Sequence, residues 1–402
     1  MNKANQNSSA SKPAFSGEVL GRARIGDLGK IQSGGTPSSK HPEYFAGNIP
    51  WIGTTALNGG LLDDKDAVKL ITKEAVSQSA TKLVPAGSIM VGTRVGVGKV
   101  GINLVPMCTS QDVVSIVDIN EHIWNKEYIS LALQYAAPRL AAQAQGATIT
   151  GITSRILKDV TIPVRKATDQ AAVVAKLNLL KGLTHSVEIY LTDLQTLVKS
   201  RFIEMFGDPG TSNPQWAKAP LGVECKIITG NTPSRKCLEN YGDFLEWVKT
   251  DNINSAGSIN PSSESLSVKG AEKARIVDAG TILMTCIAGS VKSIGRVGLT
   301  DRRIAFNQQI NAIVPGPNYL PEYLLWAFKL SKDYLCRDIN MQLKGILNKT
   351  ALSAKEYAIP PLPLQREFAG FAERAAKLEF VAQRQIEKLQ MLYDSLAQEY
   401  FG

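Results

Sequence analysis

Residues 30–40 read KIQSGGTPSSK, and residues 226–236 read KIITGNTPSRK. Thr36-Pro37-Ser38 and Thr232-Pro233-Ser234 stand 232 − 36 = 196 positions apart, and the same offset carries Trp51 of PWIGTTALN onto Trp247 of EWVKTDNIN. The correspondence then continues in order. PAGSIM (85–90) matches DAGTIL (278–283), GKVG (98–101) matches GRVG (295–298), Gln111 faces Gln308 and Tyr128 faces Tyr323. Ile162-Pro163 answers Ile359-Pro360, Gln170 answers Gln365, and LQTLVKSRFIEMFG (194–207) answers LQMLYDSLAQEYFG (389–402). Ordered matches over nearly the whole length identify a tandem duplication with a unit of roughly 195 residues, far longer than a solenoid repeat. A unit of that size is large enough to fold alone.

Composition sets the outer bounds. A chain of 402 residues with 44% apolar content builds more than one core. No run of about eighteen apolar residues is present, so no membrane span is expected. The first seventeen residues, MNKANQNSSASKPAFSG, lack the apolar segment of a signal peptide and read as a disordered tail. The five cysteines (Cys108, Cys225, Cys237, Cys286, Cys336) contain no CxxC pair, which favours free thiols in a reducing cytoplasm. With only His41, His122 and His185 available, a histidine-based metal or acid–base centre is not expected. The net charge of +9 points toward an anionic partner, of which nucleic acid is the commonest.

Each copy changes character at its Ile-Pro step. Before it, short β-branched runs such as Gly87-Ser88-Ile89-Met90-Val91 and Val113–Val117 alternate with Gly, Asn, Asp and Ser turns, a pattern of β-rich structure with a few short helices. After it the period becomes helical. Thr168 or Asp169 is positioned to cap a helix whose stripe runs through Val174, Leu177, Leu180, Leu183, Val187, Leu191, Leu194 and Val198 and stops at Gly207-Asp208-Pro209-Gly210. In the second copy Pro363 suits a first turn, and Phe368, Phe371, Ala375, Leu378, Ile386, Leu389, Leu392, Leu396 and Tyr400 follow. Helices of about 36–40 residues extend roughly 55–60 Å, too long to bury a stripe on one small β-domain. The expected fold is therefore α+β: two tandem β-rich domains, each followed by a long helix, the helices packed as an antiparallel coiled coil with pseudo-two-fold symmetry. The expected boundaries are a tail at 1–17, β-rich domains at 18–163 and 208–360, and helices at 164–207 and 361–402.

Three motifs of catalytic type fail on context. GTRVGVGKVG (92–101) contains GxGxxG, but β-branched residues continue after it instead of a helix, and Lys99 is followed by Val100 rather than Ser or Thr, so a hairpin turn is expected. Asn48-Ile49-Pro50-Trp51 is a poor match to the motif of amino-group DNA methyltransferases and reads as a turn before a buried tryptophan. Asp63-Asp64-Lys65-Asp66 has no counterpart in the other copy and reads as a solvated loop. No catalytic residues and no metal ligands are assigned.

What recurs in each copy is a set of polar and basic loop residues: Thr36, Ser38, Ser39, Lys40, Thr54, Thr55, Asn58, Arg94 and Lys99, then Thr232, Ser234, Arg235, Lys236, Lys249, Thr250, Asn252, Lys292 and Arg296. These residue types contact phosphates and base edges. The framework is retained between copies while the loops diverge, as reading two different sequences requires.

In these motifs, with IPPLPLQRE (359–367) before a long helix ending in EYFG, the chain resembles the specificity subunit of type I restriction–modification enzymes across about residues 20–402. The resemblance implies two target-recognition domains, each reading one half of a bipartite site in double-stranded DNA, with the helices setting the gap. It implies a non-catalytic subunit that docks two methyltransferase subunits and, in the full complex, restriction/translocase subunits. No cofactor is expected on this chain; S-adenosylmethionine, ATP and Mg2+ are implied for the partners. The first copy reads IPVRKATDQ where the family pattern is closer to IPPLPLQRE, which leaves the start of the first helix open. Two other readings are a coiled-coil scaffold whose β-domains bind protein or RNA, and the recognition region of a self-contained DNA methyltransferase or nuclease.

Overall fold

The computed structural model describes residues 17–144, 151–211, 215–290, 293–337 and 345–402. Residues 1–16 of the expected tail and the candidate Lys292 lie outside the described residues. The first half opens with β1 (Gly21–Arg24) and β2 (Lys30–Ser33), followed by β3 (Ile49–Ile52), β4 (Leu61–Leu62), β5 (Lys69–Ile71), α1 (Lys73–Gln78) and β6 (Leu83–Val84). A run of β7 (Ile89–Gly92), β8 (Val100–Asn103), β9 (Met107–Thr109) and β10 (Val113–Val117) leads to α2 (Lys126–Ala142). Then come α3 (Ser154–Asp159), β11 (Thr161–Val164) and the long helix α4 (Ala167–Phe206).

The second half repeats the plan. It begins with β12 (Lys218–Pro220), α5 (Leu221–Glu224), β13 (Cys225–Thr229), β14 (Tyr241–Val248), β15 (Ser265–Leu266), α6 (Val268–Ala271) and β16 (Ile276–Val277). The strands β17 (Ile282–Thr285), β18 (Ile287–Ala288), β19 (Val297–Leu299), β20 (Ile304–Phe306) and β21 (Ile310–Pro315) follow, then α7 (Pro321–Leu330) and α8 (Lys332–Cys336). The half closes with β22 (Gly345–Ile346), α9 (Lys349–Ser353), β23 (Glu356–Ala358) and α10 (Leu362–Phe401).

Each half contains two principal sheets. In the first they run β2-β10-β7-β8-β4 and β5-β3-β9-β6; in the second, β13-β21-β17-β19 and β15-β14-β20-β16. One parallel pair recurs, Trp51↔Cys108 in β3/β9 and Trp247↔Ala305 in β14/β20. Strands β7 and β10 are buried along their whole length, which is why Val, Ile and Met run on there without polar alternation.

Contacts divide the chain into two compact units, but these are not the two sequence copies. One unit comprises the described residues up to Val187 together with Gln385–Gly402; the other is Glu188–Arg384. Each unit therefore borrows the last turns of the other copy's helix. In the first, Phe401 packs on Tyr128 at 5.2 Å between ring centroids, and Tyr400 and Ala397 join its core beside Val173 and Leu177. In the second, Phe206 lies 4.9 Å from Tyr323 and Phe202 lies 5.1 Å from Phe368. Tyr128 and Tyr323 donate to the carbonyls of Pro163 and Ala358, both at 3.1 Å. The repeated EMFG and EYFG endings are thus the apolar caps of each other's domain.

Within each unit the long helices run antiparallel. In the first, Arg165, just before α4, donates to the Tyr400 carbonyl, and Lys181 sits over Tyr393, so later α4 residues meet earlier α10 residues. In the second, Arg201 pairs with Glu367, and Gln195 and Lys199 share a cavity lining with Ala376 and Glu379. The stripe departs from expectation at Leu183, Leu378 and Leu392, which are 44%, 48% and 48% exposed, whereas Leu177, Leu194, Val198 and Phe368 are buried. A straight helix drifts about 20° per heptad from a 3.5-residue repeat, so steps of three and four carry some apolar positions off the seam.

α4 begins at Ala167, so Thr168 and Asp169 lie inside its first turn rather than capping it. The reason is Gln170, fully buried, whose carboxamide donates to the Ile123 and Arg165 carbonyls and accepts from the Asn125 amide. Gln365 repeats this in α10, donating to the Asn318 and Pro360 carbonyls and accepting from the Leu320 amide. The paired glutamines fasten each long helix to the start of the recognition-domain helix, α2 or α7.

Candidate nucleic-acid interface

The TPS loops leave β2 and β13 and are held by main-chain contacts at the carboxyl ends of the parallel strand pairs. Gly34 and Gly35 donate to Val113 and Thr109; Gly230 and Asn231 donate to Ile310 and Phe306. A Cβ on Gly34 or Gly230 would stand 2.2 Å from the carbonyl of Ser110 or Asn307, so only glycine allows this approach. The indole N–H of Trp51 donates to the Gly35 carbonyl at 3.0 Å, and that of Trp247 to the Asn231 carbonyl at 3.3 Å. Pro37 and Pro233 are buried. Of the letters shared by the two loops, the Gly34/Gly230 and Pro37/Pro233 pairs are therefore framework, while the shared Ser and Lys side chains face outward.

Three segments converge at this end of each domain. β3 and β14 run directly into residues 53–58 and 249–254, and the hairpins after β7 and β17 lie against them. In the first unit a side chain on Gly92 would begin 3.4 Å from Thr54 Cγ2. In the second, Arg296 donates to the Ile253 carbonyl at 3.4 Å. The GxGxxG stretch is a hairpin turn between β7 and β8, with Gly96 and Gly98 at φ +72° and +80°. A Cβ on Gly98 would meet Ala137 of α2 at 2.5 Å, so its glycines serve turning and close packing.

The candidate residues separate by environment. Thr36, Ser38, Ser39, Lys40, Thr55 and Lys99 are exposed. Arg94 is exposed and lies 3.7 Å from Asp112. Thr54 is 7% exposed and belongs to the core of the loop rather than its surface. Asn58 accepts from the Gly60 amide, and Asn252 accepts from the Lys249 amide while donating to Pro261; both carboxamides shape turns. Thr232 is bonded to Gln308, Thr250 is half-buried, and Ser234 and Lys236 are exposed.

Arg235 and Lys249 are brought together by a residue absent from the expected set. Glu264 accepts from Arg235 Nη2 at 2.8 Å and from Lys249 Nζ. Arg235 lies 5.3 Å from the Trp247 ring centroid and 5.4 Å from that of Tyr241; Lys249 lies 5.6 Å from Trp247. Hydrogen bonding, from Lys249 foremost and also from Arg235, holds the Glu264 carboxyl below its ordinary range. Trp247 is 2% exposed under this cover, whereas Trp51 is only half-buried. Glu264 lies across the antiparallel strand pair from Trp247, its carbonyl accepting the Trp247 amide; Lys69 occupies that place opposite Trp51 and stands over Phe45 at 4.4 Å. The sequence signal was available in KLIT (69–72) against ESLS (264–267), whose last residues both cap short helices, but it becomes visible only once the strand register is known.

Among the described residues no group of three His, Cys, Asp or Glu side chains could hold a metal ion, and no helix is long and apolar enough to cross a membrane. Burial pushes the Cys225 thiol up to about 11 and the Cys286 thiol up to about 12, away from the thiolate form a nucleophile needs. His41 stacks on Tyr44 and bonds Glu43. Asp63 and Asp66 form a reciprocal cap on their own turn.

A family model described as type I restriction modification DNA specificity domain matches residues 22–184 and again 214–389. The chain is 25% identical over 399 residues to the type I restriction enzyme MjaIX specificity subunit of Methanocaldococcus jannaschii, covering 93% of this chain and 90% of that protein. It is 31% identical over 168 residues to the EcoR124I/EcoR124II specificity subunit of Escherichia coli, covering 40% and 41%. Among solved structures, a chain from work on complex assembly and conformational transition of the type I R-M system aligns with TM-score 0.63, at 16% identity over 94% of this chain and 96% of that one. The S subunit of a type I restriction-modification system from M. genitalium aligns with TM-score 0.56, at 13% identity over 95% and 96%. At those identities the structures speak for the fold, and the twice-matched model for the family: this chain belongs to the type I restriction–modification DNA specificity family, with two recognition domains in tandem.

Proposed function

We propose that each recognition domain reads one half of a bipartite site in duplex DNA through the three converging loops. The carrying observation is that two copies of one tryptophan-pinned scaffold carry different charges at matching positions: Arg235, Lys249 and Glu264 gathered at Trp247, against Ser39 and Gly53 at the same sequence offset and Lys69 opposite Trp51. A basic excess supplies sequence-independent attraction to phosphates, and side chains at base edges supply discrimination. Of the candidate set, Thr36, Ser38, Ser39, Lys40, Thr55, Arg94 and Lys99 in one domain, and Ser234, Arg235, Lys236 and Lys249 in the other, are the contacts we favour.

The chain itself contributes no catalytic group in this reading. Methylation belongs to two methyltransferase subunits that carry S-adenosylmethionine, and ATP and Mg2+ belong to restriction/translocase subunits. Exposed apolar side chains on the long helices favour docking there: Leu179, Met391 and Leu392 in one unit, and Tyr190, Leu197 and Phe380 in the other. The helices, shared by both units, set the number of unread base pairs.

Mapping genomic methylation in cells that express this chain with its methyltransferase tests the proposal. A single bipartite motif is expected. Exchange of residues 36–58 should change one half-site only, and removal of seven residues from both long helices should change the gap only. Loss of both half-sites on the first change, or an unaltered gap on the second, would refute the assignment.

A further inference from the structure

We infer that Arg235, braced by Glu264 against Trp247, reads a guanine in the half-site of the second recognition domain, and that the first domain has no counterpart of this contact. The inference rests on the DNA-reading role proposed above and names the residue and base involved.

The geometry separates this side chain from an ordinary surface arginine. One nitrogen, Nη2, is bonded to Glu264 at 2.8 Å, and the guanidinium lies over two aromatic rings, at 5.3 Å and 5.4 Å from their centroids. Among the described residues, Nε and Nη1 have no hydrogen-bond partner. The side chain is nonetheless 57% exposed. A planar fork held on one edge and one face, with its remaining donors free, is preorganised for a planar two-point acceptor. Guanine presents such an acceptor in the major groove through O6 and N7.

Phosphate presents one too, and Glu264 decides between them. Its carboxylate is bonded to both cations of the cluster and would stand against an approaching phosphate, while it tolerates a base pair, whose cytosine amino group is a donor. The charge count agrees. Two cations and one carboxylate at 235, 249 and 264 give 2 − 1 = +1, and Ser39, Gly53 and Lys69 at the matching places also give +1. The two domains carry the same net attraction here and differ only in pattern, as expected if the position reads sequence rather than adding affinity. In the first domain the place of Lys249 is taken by Gly53 and stands open, with nothing within 4 Å of where a Cβ would lie.

The test uses the full chain co-expressed with its methyltransferase, with genomic methylation sequenced for the parent and for R235A, R235K and E264Q. The expected parent motif has a G·C pair at one position of the half-site assigned to the second domain. R235A and R235K should each lower discrimination at that position alone, by about 5- to 150-fold, the range of one good bidentate contact. E264Q should lower it by less, because the ring stacking remains. R235K keeps the charge and the cover over Trp247, so it decides the matter if R235A fails to fold. A uniform fall in methylation with the motif intact would mark a phosphate contact and overturn the inference, as would an unchanged motif. If the parent complex methylates no bipartite motif, the DNA-reading role itself fails, a result distinct from either.

Discussion

Replacing Gln365 with leucine should destabilise the second unit by about 2–4 kcal/mol. The side chain is fully buried, and its three hydrogen bonds, at 2.7, 2.8 and 2.9 Å, all go to backbone groups at the junction of α7 and α10. Leucine matches its size but leaves the Leu320 amide and the Asn318 and Pro360 carbonyls without partners. A buried polar group left unsatisfied costs about 1–3 kcal/mol, so three cost at least about 3 kcal/mol, offset by roughly 1 kcal/mol from the added apolar burial. With a urea slope of about 2–3 kcal/mol/M for a unit of this size, the unfolding midpoint should fall by about 1 M. Q365E gives a sharper version. A carboxylate still accepts from Leu320 but faces two carbonyls it cannot donate to, so the acid is held protonated and its folded pKa lies above the unfolded value. Stability of Q365E relative to the parent should then be greatest at low pH and fall as pH rises from about 4.3. Urea unfolding followed by circular dichroism at pH 5 and pH 7 measures both effects. A Q365L variant within about 0.5 kcal/mol of the parent, the range of ordinary surface changes, or a Q365E variant indifferent to pH, would refute the account.

Further outcomes follow from the same contacts. F401A should destabilise the first recognition domain and F206A the second, each by about 3–5 kcal/mol, and hydrogen exchange should place the lost protection in α2 and β11 for F401A and in α7 and β23 for F206A. F401A thus acts opposite to the copy that carries it. G34A and G230A force a Cβ to 2.2 Å from a carbonyl and should cost about 1–3 kcal/mol each, measured as a lowered melting temperature. The Glu246 carboxyl is held low by its paired hydrogen bonds with Arg302, at 2.7 and 2.9 Å. Its contribution should be full above the ordinary value near 4.5 and disappear as pH falls through the lower folded value, so the stability gap between the parent and E246Q should close in acid.

The duplication, the β-rich character of each domain, the two long helices and their carboxyl ends were legible in one chain read against itself; the start of the first helix was not. Those features are local: a glycine at a close approach, a proline in a first turn, an apolar period of three and four. The matched pairs Gln170/Gln365, Tyr128/Tyr323 and Phe206/Phe401 were also visible as letters, but their partners were not. Each has partners 35 or more residues away along the chain, and only folding shows that Phe401 completes the first domain and Phe206 the second. Residue type nominated the candidate surface; the environment of each side chain came only from the fold. Thr54 has the composition of a DNA contact but is buried, and the carboxamides of Asn58 and Asn252 also bond backbone groups of their own turns.

By itself, then, the sequence determined that one scaffold is present twice and that the loops on it differ, because repetition and helical period survive in the order of residues. Which residues of those loops act together was decided by tertiary structure. Lys69 and Glu264 face Trp51 and Trp247 through strand register, and register is set by pairing between segments distant in the chain, a relation that linear spacing does not carry.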